Sequence, residues 1–257
     1  MRRHKKLSVR PSEADISEME IICHRGVSNV FLENSLSAFR ALATHSGTWV
    51  EFDVHATLDD VLVVYHDFDL ARLTITKDDR LIRETLFSDI QKLTLINGEK
   101  IPTLSEVVSV IPRSRTVNVE LKGEGTGSRV YSLLQDAIDD SDYLKRNIVY
   151  SSFLRKELDD AKASVPDGRF AVLVRESNFD WKKRVSEIDP WSVHFGVDDV
   201  TNEQVSYVQE LGKKVFIFTV NTKEQFIEMA KLGVDGVFTD FSEMRQIVQE
   251  TVKMDTL

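Results

Sequence analysis

Short runs of β-branched and aromatic residues alternate along this chain with longer stretches whose apolar residues recur every three to four positions. Eight runs have strand character: residues 20–24, 50–54, 116–121, 147–151, 169–174, 192–195, 214–220 and 236–239. Helical periodicity occupies 34–46, 103–110, 127–139, 153–164, 178–188, 201–211, 223–232 and 241–252. Some helices announce their starts, as where Glu106 follows Thr103 by three residues, or where Asn221 and Thr222 precede Lys223-Glu224-Gln225. Strand and helix alternating eight times predict an α/β chain that closes as a (β/α)8 TIM barrel, in preference to a doubly wound sheet. No linker, fixed-period repeat or low-complexity tract divides it, so residues 19–257 read as a single domain behind a polar, frayed tail at 1–18.

One apolar run breaks the alternation. Val61 to Tyr65 follows the strand ending at Val54 after too few residues for a parallel crossover, so it returns antiparallel as a β-hairpin extension. With the turn centred between Asp59 and Asp60, Asp53 lies opposite His66, and the hairpin carries His66 to the carboxyl end of the second strand. Barrels build their active sites at that end. The stretch between Asp67 and Pro102, ahead of the second helix, reads as a short insertion that leaves the pocket open.

Composition narrows the function. The 257 residues carry 33 Lys and Arg against 42 Asp and Glu, a formal charge of −9. With no basic stripe beyond the first ten residues, this excludes a nucleic-acid binder, whose affinity rests on neutralising phosphates. The longest apolar runs are strand-sized, which predicts no transmembrane segment. The basic start Met1-Arg2-Arg3-His4-Lys5-Lys6 is followed by polar residues instead of the apolar stretch of a signal peptide. Together with a lone cysteine, Cys23, this favours the cytoplasm. Cys23 alternates with His24 and is expected to face the helices as a small apolar residue. The acidic balance says nothing specific about oligomeric state.

The chemistry sits at the ends of strands. In Val50-Glu51-Phe52-Asp53-Val54 two carboxylates interrupt an apolar strand two residues apart, hence on one face. Glu120 and Lys122 share a face in the same way. Buried carboxylates need a partner. Three of them without a thiolate suit a hard divalent cation, Ca2+ or Mg2+. His24 and Arg25 leave the first strand just before Gly26, which permits a sharp departure. With His66 and Lys122 they offer two imidazoles and two cations around one opening, a set able to hold a phosphate while histidines exchange protons. Asn34 is either a helix N-cap or a site residue, and Glu33 reads as structural. Phe153 and Phe218 read as core or pocket wall, with core the default. His55 reads as a hairpin surface residue, and His4, His45 and His194 have no supporting cluster.

These residues also carry a resemblance. His24-Arg25-Gly26, Glu33-Asn34-Ser35-Leu36-Ser37-Ala38-Phe39, Glu51-Phe52-Asp53-Val54, Thr57-Leu58-Asp59, Val63-Val64-Tyr65-His66-Asp67, Ile101-Pro102-Thr103-Leu104, Glu120-Leu121-Lys122, Ser151-Ser152-Phe153 and Gly233-Val234-Asp235-Gly236-Val237-Phe238-Thr239-Asp240 closely resemble the glycerophosphodiester phosphodiesterase family, in the family's order. The resemblance implies a TIM-barrel hydrolase that splits a small-molecule glycerophosphodiester into sn-glycerol 3-phosphate and an alcohol with the aid of a divalent metal. It implies His24 and His66 as the acid/base pair, Glu51, Asp53 and Glu120 as metal ligands, and Arg25 and Lys122 as phosphate contacts. Leu32 and Asp60 stand where the family usually has Pro and Gly, departures that touch loop geometry. Phe218 replaces a frequent Trp and is expected to alter the wall beside the substrate. Two alternatives share the scaffold: a lysophospholipase D-type lipid hydrolase, which needs an apolar patch at the mouth, and a non-catalytic phosphodiester-binding barrel, which would lack a ligand or acid/base residue.

Overall fold

Parallel pairing runs unbroken around a ring of eight strands in the computed structural model, which describes residues 13–175 and 180–254. The strands are β1 (Glu20–Cys23), β2 (Trp49–Ala56), β3 (Leu62–Val64), β4 (Thr116–Leu121), β5 (Ile148–Ser152), β6 (Arg169–Val174), β7 (Ser192–Gly196), β8 (Lys214–Phe218) and β9 (Gly236–Thr239). Their order is β1-β9-β8-β7-β6-β5-β4-β2, and β2 returns to β1 through Ile22 opposite Trp49 and Cys23 opposite Val50, which closes the barrel. The antiparallel β3 stands outside the ring, on the half of β2 that β1 leaves uncovered.

Period two explains why these strands are almost continuously apolar. Alternate residues, among them Ile22, Trp49, Val149, Ala171, Phe216 and Phe238, fill the barrel. Their neighbours, including Cys23, Val50, Phe52, Val119, Val172 and Val215, join the helices in the larger core. Cys23 is therefore buried on the side expected of it. Helix starts follow local chemistry: Thr103, Thr201 and Thr222 each cap a helix and form reciprocal boxes with Glu106, Gln204 and Gln225.

Several boundaries differ from the periodic reading. The helix expected at 34–46 is Leu36–Arg40, continued by a 3-10 turn at Ala41–Ala43, so 34–46 is not one helix. An additional helix, Ser141–Asn147, precedes β5. The strand expected to run to Val220 ends at Phe218, and the helix expected from 178 is Trp181–Ile188, residues 178 and 179 lying outside the described residues. The stretch read as a tail ends in a helix, Glu13–Glu18, whose Ile16 is completely buried in the main core. Residues 1–12 lie outside the described residues. Among the described residues no helix is long and apolar enough to cross a membrane.

The segment between Asp67 and Pro102 is more than an open loop. Leu70, Leu73, Ile82, Ile90, Leu93, Leu95 and Ile101 pack with Val63 and Tyr65 of the hairpin into a second core. Backbone bridges of Asp69 with Leu81 and of Thr74 with Leu95 tie the segment together. The insertion is short, yet it has a core of its own, packed against the hairpin that carries His66.

Candidate functional site at the barrel mouth

The acidic cluster is a consequence of strand register. In the parallel ladder between β2 and β4, Glu51 pairs with Asn118 and Asp53 with Glu120. Carboxylate oxygens of Glu51, Asp53 and Glu120 consequently lie within 4.8 Å of one another. Lys122 Nζ sits 3.0 Å from Asp53 Oδ1 and 3.2 Å from Glu120 Oε1. Burial pushes all three acids toward protonation, and the outcome differs with the neighbours. For Asp53, Lys122 and Arg25 outweigh burial and hold the carboxyl well below its ordinary range. Glu51 is driven well up by burial and by the charges of Asp53 and Glu120, and Glu120 rises to about 7. Three carboxylates this close do not all ionise at neutral pH without further positive charge. Oε1 of Glu120 is buried and makes no hydrogen bond of good geometry. The set therefore fits a hard divalent cation, held by Glu51, Asp53 and Glu120.

The chain turns sharply where β1 ends. Arg25 and Gly26 both have positive φ, 57° and 85°, and a Cβ on Gly26 would lie 2.9 Å from that of Ala38. Only glycine fits that position. The turn aims the Arg25 backbone N–H at Glu51 Oε2, 3.0 Å away, while the guanidinium lies 3.4 Å from Asp53 and donates to Glu33 at 2.7 Å. Asn34 is not the helix cap, because Ser35 caps that helix. Held at φ 55°, Asn34 donates its side-chain amide to Asp53 Oδ2 at 2.9 Å. Its place is beside the acidic cluster.

Both candidate histidines have a carboxylate on Nδ1. His24 lies 2.7 Å from Asp240, itself held by Ser28 and Asn221. His66 lies 2.6 Å from Asp67. Each is left with Nε2 for the pocket that both line. Burial lowers the affinity of His66 for protons, although Asp53 opposes it. The hairpin does carry His66 to the mouth, but one position away from the expected register. Val54 faces Val64, and Tyr65 donates its N–H to Asp53 O at 3.1 Å, so Tyr65 and not His66 stands opposite Asp53. The reason is the turn. Leu58-Asp59-Asp60 forms a three-residue loop centred on Asp59, with Asp60 left-handed at φ 64° and Thr57 bonded to Val61 through backbone and side chain.

The pocket, about 60 Å³ in volume, is lined by His24, Arg25, Glu51, His66, Glu120 and Lys122. Phe153, Leu173, Phe218 and Phe238 line it too, so Phe153 and Phe218 are pocket-wall residues, and Phe218 also packs against the inner barrel core. The Phe153 and Phe218 rings meet edge to face at 6.0 Å, with the Arg175 guanidinium over both. His55 is also not a surface residue: it is buried, within 3.3 Å of the His66 carbonyl, with its pKa pushed down to about 4 by burial. His194 is buried inside the barrel against Phe216 and Phe238.

Residue-by-residue reading did not single out Asp67, Asp240, Arg72 or Arg175 for a role. Asp67 was legible as the neighbour of His66. Asp240 was reachable by reasoning from closure, since β9 pairs Thr239 with Cys23 and so brings the residues that follow them together. Arg72 and Arg175 carry no local signal. Glu33, read as structural, joins Arg25 to Arg72.

A TIM barrel whose carboxyl-terminal mouth combines a carboxylate cluster, two cations and two carboxylate-paired histidines defines a hydrolase class suited to phosphate esters. Comparison with known proteins makes this specific. The chain belongs to the glycerophosphoryl diester phosphodiesterase family, whose sequence profile matches residues 24–244. It is 30% identical over 235 residues to a glycerophosphodiester phosphodiesterase of Caldanaerobacter subterraneus, covering 87% of this chain and 94% of the relative. Among solved structures it resembles an Oleispira antarctica phosphodiesterase in complex with the product sn-glycerol-3-phosphate, at TM-score 0.78 and 27% identity, covering 93% of this chain and 99% of that one. A Thermotoga maritima glycerophosphodiester phosphodiesterase gives TM-score 0.71 at 27% identity, covering 90% and 98%.

Proposed function

We propose that this protein hydrolyses glycerophosphodiesters to sn-glycerol 3-phosphate and an alcohol, with a divalent metal, Ca2+ or Mg2+, held by Glu51, Asp53 and Glu120. One observation carries the reading: a largely buried triad of carboxylates within 4.8 Å adjoins a pocket lined by Arg25, Lys122 and two histidines, each paired to an aspartate. The named relatives and the product-bound neighbour support it. When bound, the metal neutralises charge on the phosphoryl oxygens. Arg25 and Lys122 hold the phosphodiester by charge-assisted hydrogen bonds and meet the charge that grows on it in the transition state. Nε2 of one histidine accepts the proton of the attacking hydroxyl, and Nε2 of the other donates one to the departing oxygen. Asp67 and Asp240 fix the tautomers that leave Nε2 free for this exchange. Asn34 orients Asp53, and Phe218 with Phe153 packs against the organic part of the substrate.

The test is release of glycerol 3-phosphate from glycerophosphocholine and glycerophosphoethanolamine by metal-stripped protein, with and without Ca2+ or Mg2+. Metal-dependent release that falls about 100-fold or more in His24→Ala and in His66→Ala is the expected result. Metal-independent release, or full rates in both variants, overturns the assignment. A second reading has one observation behind it. Val30 and Phe68, 63% and 57% exposed, are apolar residues in the segments that follow His24-Arg25 and His66 in the chain. Hydrolysis of lysophosphatidylcholine but not of glycerophosphocholine would establish this lipid-directed alternative.

A further inference from the structure

Arg72 belongs to the insertion, not to the barrel, yet it touches both halves of the site. Its Nε lies 2.5 Å from Asp67 Oδ2 and its Nη2 3.1 Å from Asp67 Oδ1. Its Nη1 and Nη2 reach Glu33 Oε2 and Oε1 at 3.0 and 2.7 Å. Asp67 is the carboxylate on Nδ1 of His66, and Glu33 is the carboxylate on Nη1 of Arg25. One guanidinium thus bridges the two anions that orient a candidate acid/base group and a candidate phosphate contact.

We propose that Arg72 is a positioning residue that locks His66 and Arg25 into a single arrangement, and that the insertion serves the site by holding Arg72 in place. The proposal rests on the roles given above to His66 and Arg25. Asp67 and Glu33 are both partly exposed. Without Arg72, each is freer to turn to water and release the group it orients. A planar guanidinium has donors enough to satisfy both carboxylates in two-point contacts, which a lysine ammonium on one flexible stem does not reproduce. The backbone that carries Arg72 is held in place, because the nearby Leu70 and Leu73 are anchored in the insertion core. Ala71 N–H bonded to Asp69 and Leu70 N–H bonded to Arg80 O fix the backbone between them. The side chain itself is 44% exposed, so its loss removes little packing.

The experiment compares wild type with Arg72→Met and Arg72→Lys, and with Asp67→Asn and Glu33→Gln as references. It measures kcat and KM on glycerophosphocholine with metal, thermal melting, and 15N NMR of the histidine rings. Asp67→Asn is expected to act mainly on kcat through His66, and Glu33→Gln mainly on KM through Arg25. Arg72→Met is expected to do both, lowering kcat about 10- to 100-fold and raising KM several-fold with little change in melting. Arg72→Lys should recover part of one effect. The ring nitrogens of His66 should shift in Arg72→Met while those of His194 stay. Unchanged His66 resonances, or kinetic constants close to wild type, overturn the proposal. If wild type releases no glycerol phosphate, the phosphodiesterase reading fails, and the ring resonances still decide whether Arg72 positions His66.

Discussion

Glu51 illustrates how a single residue is set against the fold by its task. It is buried among two other carboxylates, and its tendency to hold a proton is raised by burial, then by Asp53 and Glu120. A carboxyl whose pKa is higher folded than unfolded stabilises the protein below its unfolded value and loses that contribution as pH rises. The metal-free protein is therefore expected to carry repulsion in this cluster at pH 8. Glu51→Gln keeps an acceptor for the Arg25 N–H but cannot ionise. Its metal-free form should melt above metal-free wild type at pH 8, each kcal/mol relieved being worth about 2–4 °C. It should also gain nothing from added metal and lose activity. A lower melting point for Glu51→Gln in calorimetry would show that the carboxylate is held by something other than a cation. The identities of such residues were readable from the chain because a carboxylate in an apolar strand violates the local pattern. Their partners were not: Asp240 reaches His24 from 216 positions away.

At the scale of elements, the hairpin formed by β2 and β3 shows what a turn can decide. Asp60 stands at φ 64°, a conformation that favours glycine and that aspartate tolerates better than most side chains. Its ion pair with Arg129 is largely exposed, so little stability depends on it. Asp60→Gly is expected to leave stability unchanged within about 0.5 kcal/mol. Asp60→Val should cost about 1–2 kcal/mol in urea unfolding, because a β-branched side chain meets the backbone there. Equal effects of the two substitutions would mean that charge, not backbone conformation, matters at this turn. The existence of the hairpin followed from a length argument, since five residues cannot make a parallel crossover. The register did not, because centring the turn one half-step differently moves every pair by one residue. The core of the insertion escaped for a related reason. Its apolar residues follow neither period cleanly, and their common core exists only once the hairpin supplies Val63 and Tyr65.

For the molecule as a whole, imidazoles buried without a carboxylate on the ring make stability fall in mild acid. His194 is enclosed in the barrel with its pKa pushed down to about 3, and that of His55 is lowered to about 4, both chiefly by burial. The unfolded chain binds those protons near pH 6.5, so between there and pH 3–4 it holds more protons than the native state, and stability falls as pH falls. For His194 the loss between pH 6.5 and 5 is on the order of 2 kcal/mol. The Glu51–Glu120 cluster acts in the opposite sense over part of this range, so the test is a difference between variants. His194→Gln retains a polar partner for Ser192 and should lower the urea midpoint less between pH 7 and 5 than wild type does. A parallel decline in both proteins would place the acid sensitivity elsewhere.

What the chain determined alone was everything written in local periodicity. Alternation assigned Glu51 with Asp53, and Glu120 with Lys122, to common faces, and the order of strands and helices implied a closed barrel. What only tertiary structure decided was which of these faces meet. The pairing of Asp53 with Glu120 is a register between strands more than sixty residues apart. The pairing of His24 with Asp240 requires the last strand to close on the first. The bridge from Arg72 to both Asp67 and Glu33 depends on a small core that no single segment encodes. Backbone geometry fixes the direction of a side chain from its own neighbours, whereas the distance between two side chains is set by every contact that holds their elements together.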